Sequence, residues 1–549
     1  MSERSYRIIP LAGGCLAALL LLLWLIVRSG EANSRSTGAL VTPVPDPAGS
    51  MTSGMAKDAA RPRNLPAAPA LRYLQQSIEK RCARPHEALL TFSNADAYRR
   101  FLARAAHSGL TIVGQLDALL AVRVRWDSLA GLESEILANP LDYTDVSANF
   151  YVNIPDTPPK EDRQAVNLVP LGGGLLSFLG VSEDPGQWGR GVTIAVLDSG
   201  VAPDNTFGTG RLQSLDIGLG TTPGTGPEDG HGTAVAALAA GMAADAVGVA
   251  PAANVLSIRV TDANAQSDIF TLSNAIVVAV DSGAQIINIS LGGYDSDSLL
   301  DNAIAYASQR GVVIVASAGN DQASELTWPA ADTRVVSVGA VDALGQLATF
   351  SNSGPGLQLT APGYGVQTAW LDGQRVYFDG TSASAPIVAG AIAALVSTNP
   401  SMTPAQASQI LEQYSSDGGS PGADPDYGNG ILNLGWAINR NDPTRIDTAI
   451  SSHYYDAATG QMEFVIQNRS GQSVAGMILN VDTGTGAVAC SLPLLTSGGS
   501  YVVKMPVDPV QLATAGSIVF RTQLVNPAGI VDQVPANNRR TSSLTAPAK

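Results

Sequence analysis

Between residues 172 and 440, short apolar runs recur without the polar alternation of a half-exposed strand: VTIAVL (192–197), NVLSIRV (254–260), QIINISL (285–291), VVIVASA (312–318) and VVSVGAV (335–341). A strand with one face in water alternates apolar and polar residues. A run without alternation suits a strand buried on both faces, as in a parallel sheet covered by helices. Between the runs, apolar residues such as Leu272, Ile276 and Val280 fall four apart, the spacing of a crossover helix. The region 172–440 is therefore expected to be a doubly wound α/β domain with a mostly parallel sheet. Such sheets bind ligands beyond the carboxyl ends of their strands.

The 549 residues leave room for about three or four domains. Residues Ile8 to Val27 carry no charge, and Arg4 and Arg7 precede them. About 20 apolar residues can span a bilayer as a helix, and the flanking arginines keep the N-terminus cytoplasmic. Residues 1–30 thus form a signal peptide or a single-pass transmembrane anchor. The length of the stretch and the adjacent Arg28 favour the anchor over cleavage near Gly30-Glu31-Ala32. Either way the chain is exported and its α/β domain is extracytoplasmic, secreted or held at the membrane. Residues 31–70, rich in Pro, Ala, Ser and Gly, read as a disordered linker. Over 71–152, the strands HEALLTF (86–92) and ALLAVRV (118–124) alternate with helical patterns at 94–107 and 127–138, giving a small α+β unit. A polar stretch follows, with an exposed, easily cut run at 158–163. From 441 to 549 the runs MEFVIQN, GMILNV, SYVVKM and SIVFRTQLV, separated by Gly, Ser and Asn, predict a β-sandwich.

The net charge of −15 repels phosphate backbones and argues against a nucleic-acid partner. The three cysteines, Cys15, Cys82 and Cys490, have no metal-ligand spacing and form no disulfide framework.

Three local signals share the α/β domain. Asp198-Ser199-Gly200 follows the strand VTIAVL. Gly230-His231-Gly232-Thr233 opens the apolar helix TAVAALAAG. Gly380-Thr381-Ser382-Ala383-Ser384-Ala385-Pro386 opens another helix. Proline is tolerated in the first turn of a helix. Pro386 therefore places Ser382 at the helix start, where free N–H groups and the positive dipole end can stabilise an oxyanion. A hydroxyl nucleophile, an imidazole base and an orienting carboxylate make an acyl-transfer site. The chain has four histidines, and only His231 lies in this domain.

The motifs VLDSGV, DGHGTAVA and GTSASAP resemble those of the subtilisin family of serine peptidases. The chain order Asp, His, Ser is that of subtilisin itself. The resemblance covers about residues 175 to 438, closing on Tyr427-Gly428-Asn429-Gly430-Ile431-Leu432-Asn433. It implies a serine endopeptidase acting on protein or peptide substrates, with Asp198 as orienter, His231 as general base and acid, and Ser382 as nucleophile. It makes Asn320 the side-chain donor of the oxyanion hole. It places Ser290, Leu291 and Gly292 along the substrate cleft, where a peptide adds as an extended strand. No cofactor is required. Calcium is possible, since members often bind it, but no stretch secures a site, and Asp295, Asp297 and Asp301 read equally well as a solvated loop. Ala383 and Ala234 depart from the family's usual residues and put fine specificity in doubt, not the reaction.

By position and pattern, the unit at 71–152 resembles the family's inhibitory pro-region. That implies self-processing between Asn149 and Gln164, with the chain's own pro-domain as a partner. The C-terminal segment resembles Ig-like adhesion modules through Asp532-Gln533-Val534-Pro535-Ala536-Asn537-Asn538. Two other readings remain open: an inactive scaffold that binds through its sandwich, and an esterase. The second is disfavoured because Gly380-Thr381-Ser382-Ala383-Ser384 lacks the second glycine of Gly-x-Ser-x-Gly.

Overall fold

The structure is a computed structural model, and it describes residues 67–80, 82–155, 168–203, 206–217, 230–484 and 486–546. The apolar stretch Ile8–Val27, the linker up to residue 66 and the polar run at 158–163 lie outside the described residues.

The first unit is α+β. Helix α1 (Ala67–Glu79) is followed by β1 (Ala83–Phe92), α2 (Ala95–Arg104), β2 (Leu110–Leu116), β3 (Ala121–Trp126), α3 (Leu129–Ala138) and β4 (Tyr143–Asn153). Asn94 starts α2 by accepting the N–H groups of Asp96 and Ala97 at 3.1 and 2.9 Å. Three of these elements were not expected. Helix α1 begins at Ala67, inside the predicted linker. Strand β2 alternates buried and open residues and has no continuous apolar run. Strand β4 contains Thr, Asp, Ser and Asn, and its polar residues find partners on other elements.

The second unit carries β5 (Thr193–Asp198), β6 (Leu212–Asp216), α4 (His231–Ala240), β7 (Asn254–Arg259), β8 (Gln266–Asp268), α5 (Ile269–Asp281), β9 (Ile286–Ile289), α6 (Ser298–Gln309), β10 (Val313–Ser317), β11 (Val336–Val341), β12 (Leu359–Pro362) and α7 (Thr381–Thr398). Seven strands form one sheet in the order β12-β11-β10-β9-β5-β7-β6, and every pairing is parallel. The five expected strands are all present. The two edge strands were missed: β6 (LQSLD) is half-exposed, and β12 is four residues long and ends in proline.

Alternate side chains of each inner strand enter different cores. Ile194 and Val196 of β5 join α4 and α7 on one face. Ala195 and Leu197 join α5 and α6 on the other. Helix α7 is long and apolar enough to cross a membrane, yet it is a core helix, with 83% of its apolar window buried inside the protein.

The first unit packs on the α5/α6 side, and its core residues Leu89, Phe101 and Phe150 are continuous with Leu272, Ile276 and Leu300 of those helices. Its sheet continues into the second unit, because β4 pairs antiparallel with β8. Polar contacts fix this seat. Asp268 caps α5 by accepting the Thr271 N–H at 2.9 Å, and it also pairs with Arg84 and Arg123 of the first unit. Asp297 caps α6 and accepts from Ser147 Oγ at 2.7 Å. Asn149 Oδ1 accepts the Phe270 N–H at 3.2 Å, and Asn149 Nδ2 donates to Glu87. Burial alone would push the Glu87 carboxyl up, but hydrogen bonds from Arg123, Asn149 and Arg125 outweigh it and hold Glu87 below the ordinary glutamate range.

The last unit is a sandwich of two antiparallel sheets. One contains Thr448–Asp456, Gln461–Asn468 and Ser500–Pro506. The other contains Ala487–Ser491, Ile478–Asp482, Ser517–Val525 and Arg539–Thr545. Phe464 and Ile466 of the first meet Leu479 and Phe520 of the second in a shared core. The run Asp532–Asn538 has a structural role. Asp532 accepts the Thr448 N–H at 2.8 Å, and Asn537 donates to Asp447 at 2.9 Å, pinning the sandwich's first strand. Ser451 and Gln467 donate to the carbonyls of Asp417 and Ser415, which ties the sandwich to the α/β unit.

Candidate active site

Helix α7 begins at Thr381, so Ser382 is its second residue. The first N–H groups of a helix have no intrahelical partner, and here they sit beside the hydroxyl. Gly380 leads in at φ 123°, a conformation that favours glycine. A Cβ there would lie 2.8 Å from Asn320 Nδ2.

Pro386 is not in the first turn, as the sequence suggested, but is the sixth residue of the helix. Its missing N–H is the one that would bond to the Ser382 carbonyl four residues back. That carbonyl instead accepts from Ser290 Oγ at 3.2 Å, while Ser382 Oγ donates to the Ser290 carbonyl at 3.2 Å. The proline thus leaves the Ser382 carbonyl free to be held by the end of β9.

Strands β5 and β9 pair in parallel with Leu197 opposite Ile289. The next residues, Asp198 and Ser290, therefore end adjacent strands. The chain runs from β5 to β6 and β7 on one side and to β9 onward on the other, so this is the switch point of the sheet. Asp198 is fully buried, and its Oδ1 accepts from Ser199 N at 2.7 Å and lies 2.8 Å from His231 Nδ1. Both contacts fall on Oδ1, while Oδ2 is buried with no hydrogen-bond partner among the described residues, a costly arrangement for a carboxylate. His231, the first residue of α4, is 3% exposed, and its ring stands edge-on to Phe378 at 5.2 Å. The structure thus places the His231–Asp198 pair and Ser382 at the ends of two adjacent strands. Among the described residues, Ser382 Oγ bonds to Ser290 and not to His231. A catalytic hydrogen bond is often open until a substrate is in place.

Asn320 follows β10. Its Oδ1 accepts from the Thr381 N–H at 2.9 Å and from Thr381 Oγ1 at 2.8 Å. A backbone N–H can only donate, so the amide oxygen faces Thr381 and Nδ2 lies beside Gly380. Thr381, which the sequence reading did not single out, orients this amide. The signal was its place between Gly380 and the serine.

Ser290, Leu291 and Gly292 continue from β9. Gly292 exchanges both backbone hydrogen bonds with Asn153, at 3.0 and 2.9 Å. The expected substrate segment is thus paired with the chain's own first unit. Thr327 was also missed. Its Oγ1 donates to the carbonyls of Ser317 and Ala318 at 3.3 Å, and it would lie 2.5 Å from a Cβ on Gly292. It fills the space between the strand ends that carry Gly292 and Asn320, and it narrows what fits there.

The profile of the subtilase family matches residues 189–430, which include all four residues of this constellation. Over 273 residues the chain is 34% identical to a thermostable alkaline protease of Halalkalibacterium halodurans, covering 49% of this chain and 73% of that one. The chain belongs to the subtilase family. Subtilisin BL of Lederbergia lenta is 34% identical over 254 residues, 46% of this subtilase and 92% of that protein. The epidermin leader peptide processing serine protease of Staphylococcus aureus shares the fold, with a TM-score of 0.54 at 22% identity over 65% of this chain and 98% of that one. As a subtilase, the protein is a serine endopeptidase.

Subtilases need no cofactor for the reaction. For the calcium that members often bind, no three or more His, Cys, Asp or Glu residues are grouped to hold a metal among the described residues. Of the aspartates read as a solvated loop, Asp297 is buried and caps α6, and Asp301 lies within α6 and pairs with Arg334.

Proposed function

We propose that Asp198, His231 and Ser382 hydrolyse peptide bonds through an acyl-enzyme, and that the protein is made as an exported precursor which processes itself. Ser382 Oγ attacks the substrate carbonyl and passes its proton to His231 Nε2. The C–N bond breaks, and the leaving amine takes that proton. Water then attacks the ester by the same route in reverse and frees Ser382. Asp198 holds the imidazole by Nδ1 and stabilises its charged form. The Ser382 N–H and Asn320 Nδ2 hold the oxyanion. The observation that carries the reading is the buried 2.8 Å contact between His231 and Asp198, one strand away from the segment that grips Ser382.

The first unit acts as an inhibitory pro-domain, a role supported by the pairing of Asn153 with Gly292 in the segment where a substrate strand would lie. The charge-free segment Ile8–Val27 supports export, with the catalytic unit outside the cytoplasm and the N-terminus serving as anchor or signal.

Expression of the wild type beside Ser382→Ala, followed by intact mass, tests the scheme. The wild type is expected as two fragments and the variant as one. Equal full-length products would favour an inactive scaffold. In the processed enzyme, Asn320→Ala is expected to lower kcat on the order of 10²–10³-fold, the range known from the matching change in subtilisin. KM should stay nearly constant, because the oxyanion forms after binding. A change in KM alone, seen in steady-state kinetics, would move Asn320 out of the oxyanion hole.

A further inference from the structure

We propose that the bond cut in self-processing is the one on the carboxyl side of Pro155; this rests on the processing scheme above and adds the position of the cut. The tail of the first unit runs between two segments of the catalytic unit. On one side, Tyr151, Val152 and Asn153 pair antiparallel with Asp268, Ser267 and Gln266, and Ile154 N–H donates to the Ala265 carbonyl at 3.4 Å. On the other, Asn153 and Gly292 form a mutually hydrogen-bonded antiparallel pair.

Antiparallel partners count in opposite directions. With Asn153 opposite Gly292, Ile154 falls opposite Leu291 and Pro155 opposite Ser290. Ser290 is the residue whose carbonyl accepts from Ser382 Oγ at 3.2 Å. The register therefore delivers the Pro155 carbonyl to the nucleophile.

Side-chain parity pins this register. Val152 and Ile154 are 2% and 7% exposed, and Asn153 between them is open. A slip of one residue would turn both apolar side chains outward and bury the amide. A slip of two keeps parity but breaks the contacts of Asn149 with Phe270 and of Ser147 with Asp297.

Proline also explains where Ser382 points. At position 155 it has no N–H to offer the Ser290 carbonyl, so that carbonyl is free to hold Ser382 Oγ. Cutting requires Ser382 to leave that carbonyl for His231. The step then balances as an ordinary hydrolysis: the 155–156 C–N bond breaks, the amine of Asp156 takes the proton from His231, and water frees the Pro155 carboxyl.

The test uses the full-length chain. Samples are taken at the first appearance of fragments, and both new ends are located by peptide mapping. The expected result is a first-unit fragment ending at Pro155 and a catalytic fragment beginning at Asp156, both absent from Ser382→Ala. Complementary ends that depend on Ser382 but meet at any other bond overturn the register and leave self-processing standing. Absence of cleavage in the wild type, or the same cleavage in Ser382→Ala, overturns the processing scheme itself. Pro155→Ala adds the competing N–H and frees Ser382 from Ser290. It is expected to keep the cut at residue 155 and raise the processing rate several-fold, and a cut that moves to another residue would contradict the register.

Discussion

Ser382→Ala is expected to lower peptide turnover by about a million-fold, the loss measured for the same change in subtilisin itself. The hydroxyl is the only part of the side chain that bonds to substrate carbon, and Ala383 beside it offers no replacement. Stability should barely change. The hydrogen bond lost, from Oγ to the Ser290 carbonyl, has a net value of about 1 kcal/mol. The reciprocal bond from Ser290 Oγ to the Ser382 carbonyl survives, because it uses the backbone. The unprocessed variant would also keep its cleft occupied. Both proteins are therefore cut at a protease site engineered into 158–163 and freed of the first unit before kcat is compared. Turnover within tenfold of the wild type would remove Ser382 from the reaction.

Asp198→Asn tests the carboxylate in a more discriminating way. Asp198 Oδ1 takes both the Ser199 N–H and the His231 Nδ1 contact, at 2.7 and 2.8 Å. An amide oxygen in that position keeps both bonds, so the imidazole retains its orientation and its tautomer. What disappears is the negative charge beside the imidazolium. Two unit charges about 4 Å apart interact by about 4 kcal/mol at an effective dielectric constant of about 20. At about 1.4 kcal/mol per tenfold, that is a loss in kcat of about 10³-fold. A loss of about 10⁴-fold, as found for this substitution in chymotrypsin-type proteases, would instead signal a reversed tautomer, with the amide nitrogen facing His231. A change below tenfold would mean that the carboxylate does not support the base. Steady-state kcat on one peptide substrate distinguishes the three.

The parts of the fold that announce themselves in sequence are those whose burial is continuous along the chain. β5, β7, β9, β10 and β11 are buried on both faces, and their apolar runs gave the sheet. Asp198 and Ser382 could be placed because a strand end and a helix start are local features. The edges β6 and β12 could not, because one is half-exposed and the other is cut short by proline. Pro386 shows a limit of local rules. It marked the right helix for the wrong reason, since its tolerance in the second turn depends on Ser290, which lies 92 positions from the serine it bonds. Thr327 and Thr381 were missed for the same cause. Their partners, Gly292 and Asn320, lie on other elements, and nothing in the neighbouring sequence sets them apart. The polar residues of β4 gave no strand signal because Ser147 and Asn149 find their partners at α5 and α6 only after the two units meet.

In the proposed mechanism His231, held by Asp198, makes one hydroxyl in this chain a nucleophile. Labelling the processed enzyme with an organophosphorus fluoride tests it directly, since the reagent bonds only to an activated oxygen and expels fluoride. Peptide mapping is expected to find a single adduct on Ser382, absent in a His231→Ala variant freed of its first unit through the engineered site at 158–163. An adduct on another residue, or equal labelling of Ser382 with and without His231, would mean that His231 does not activate Ser382.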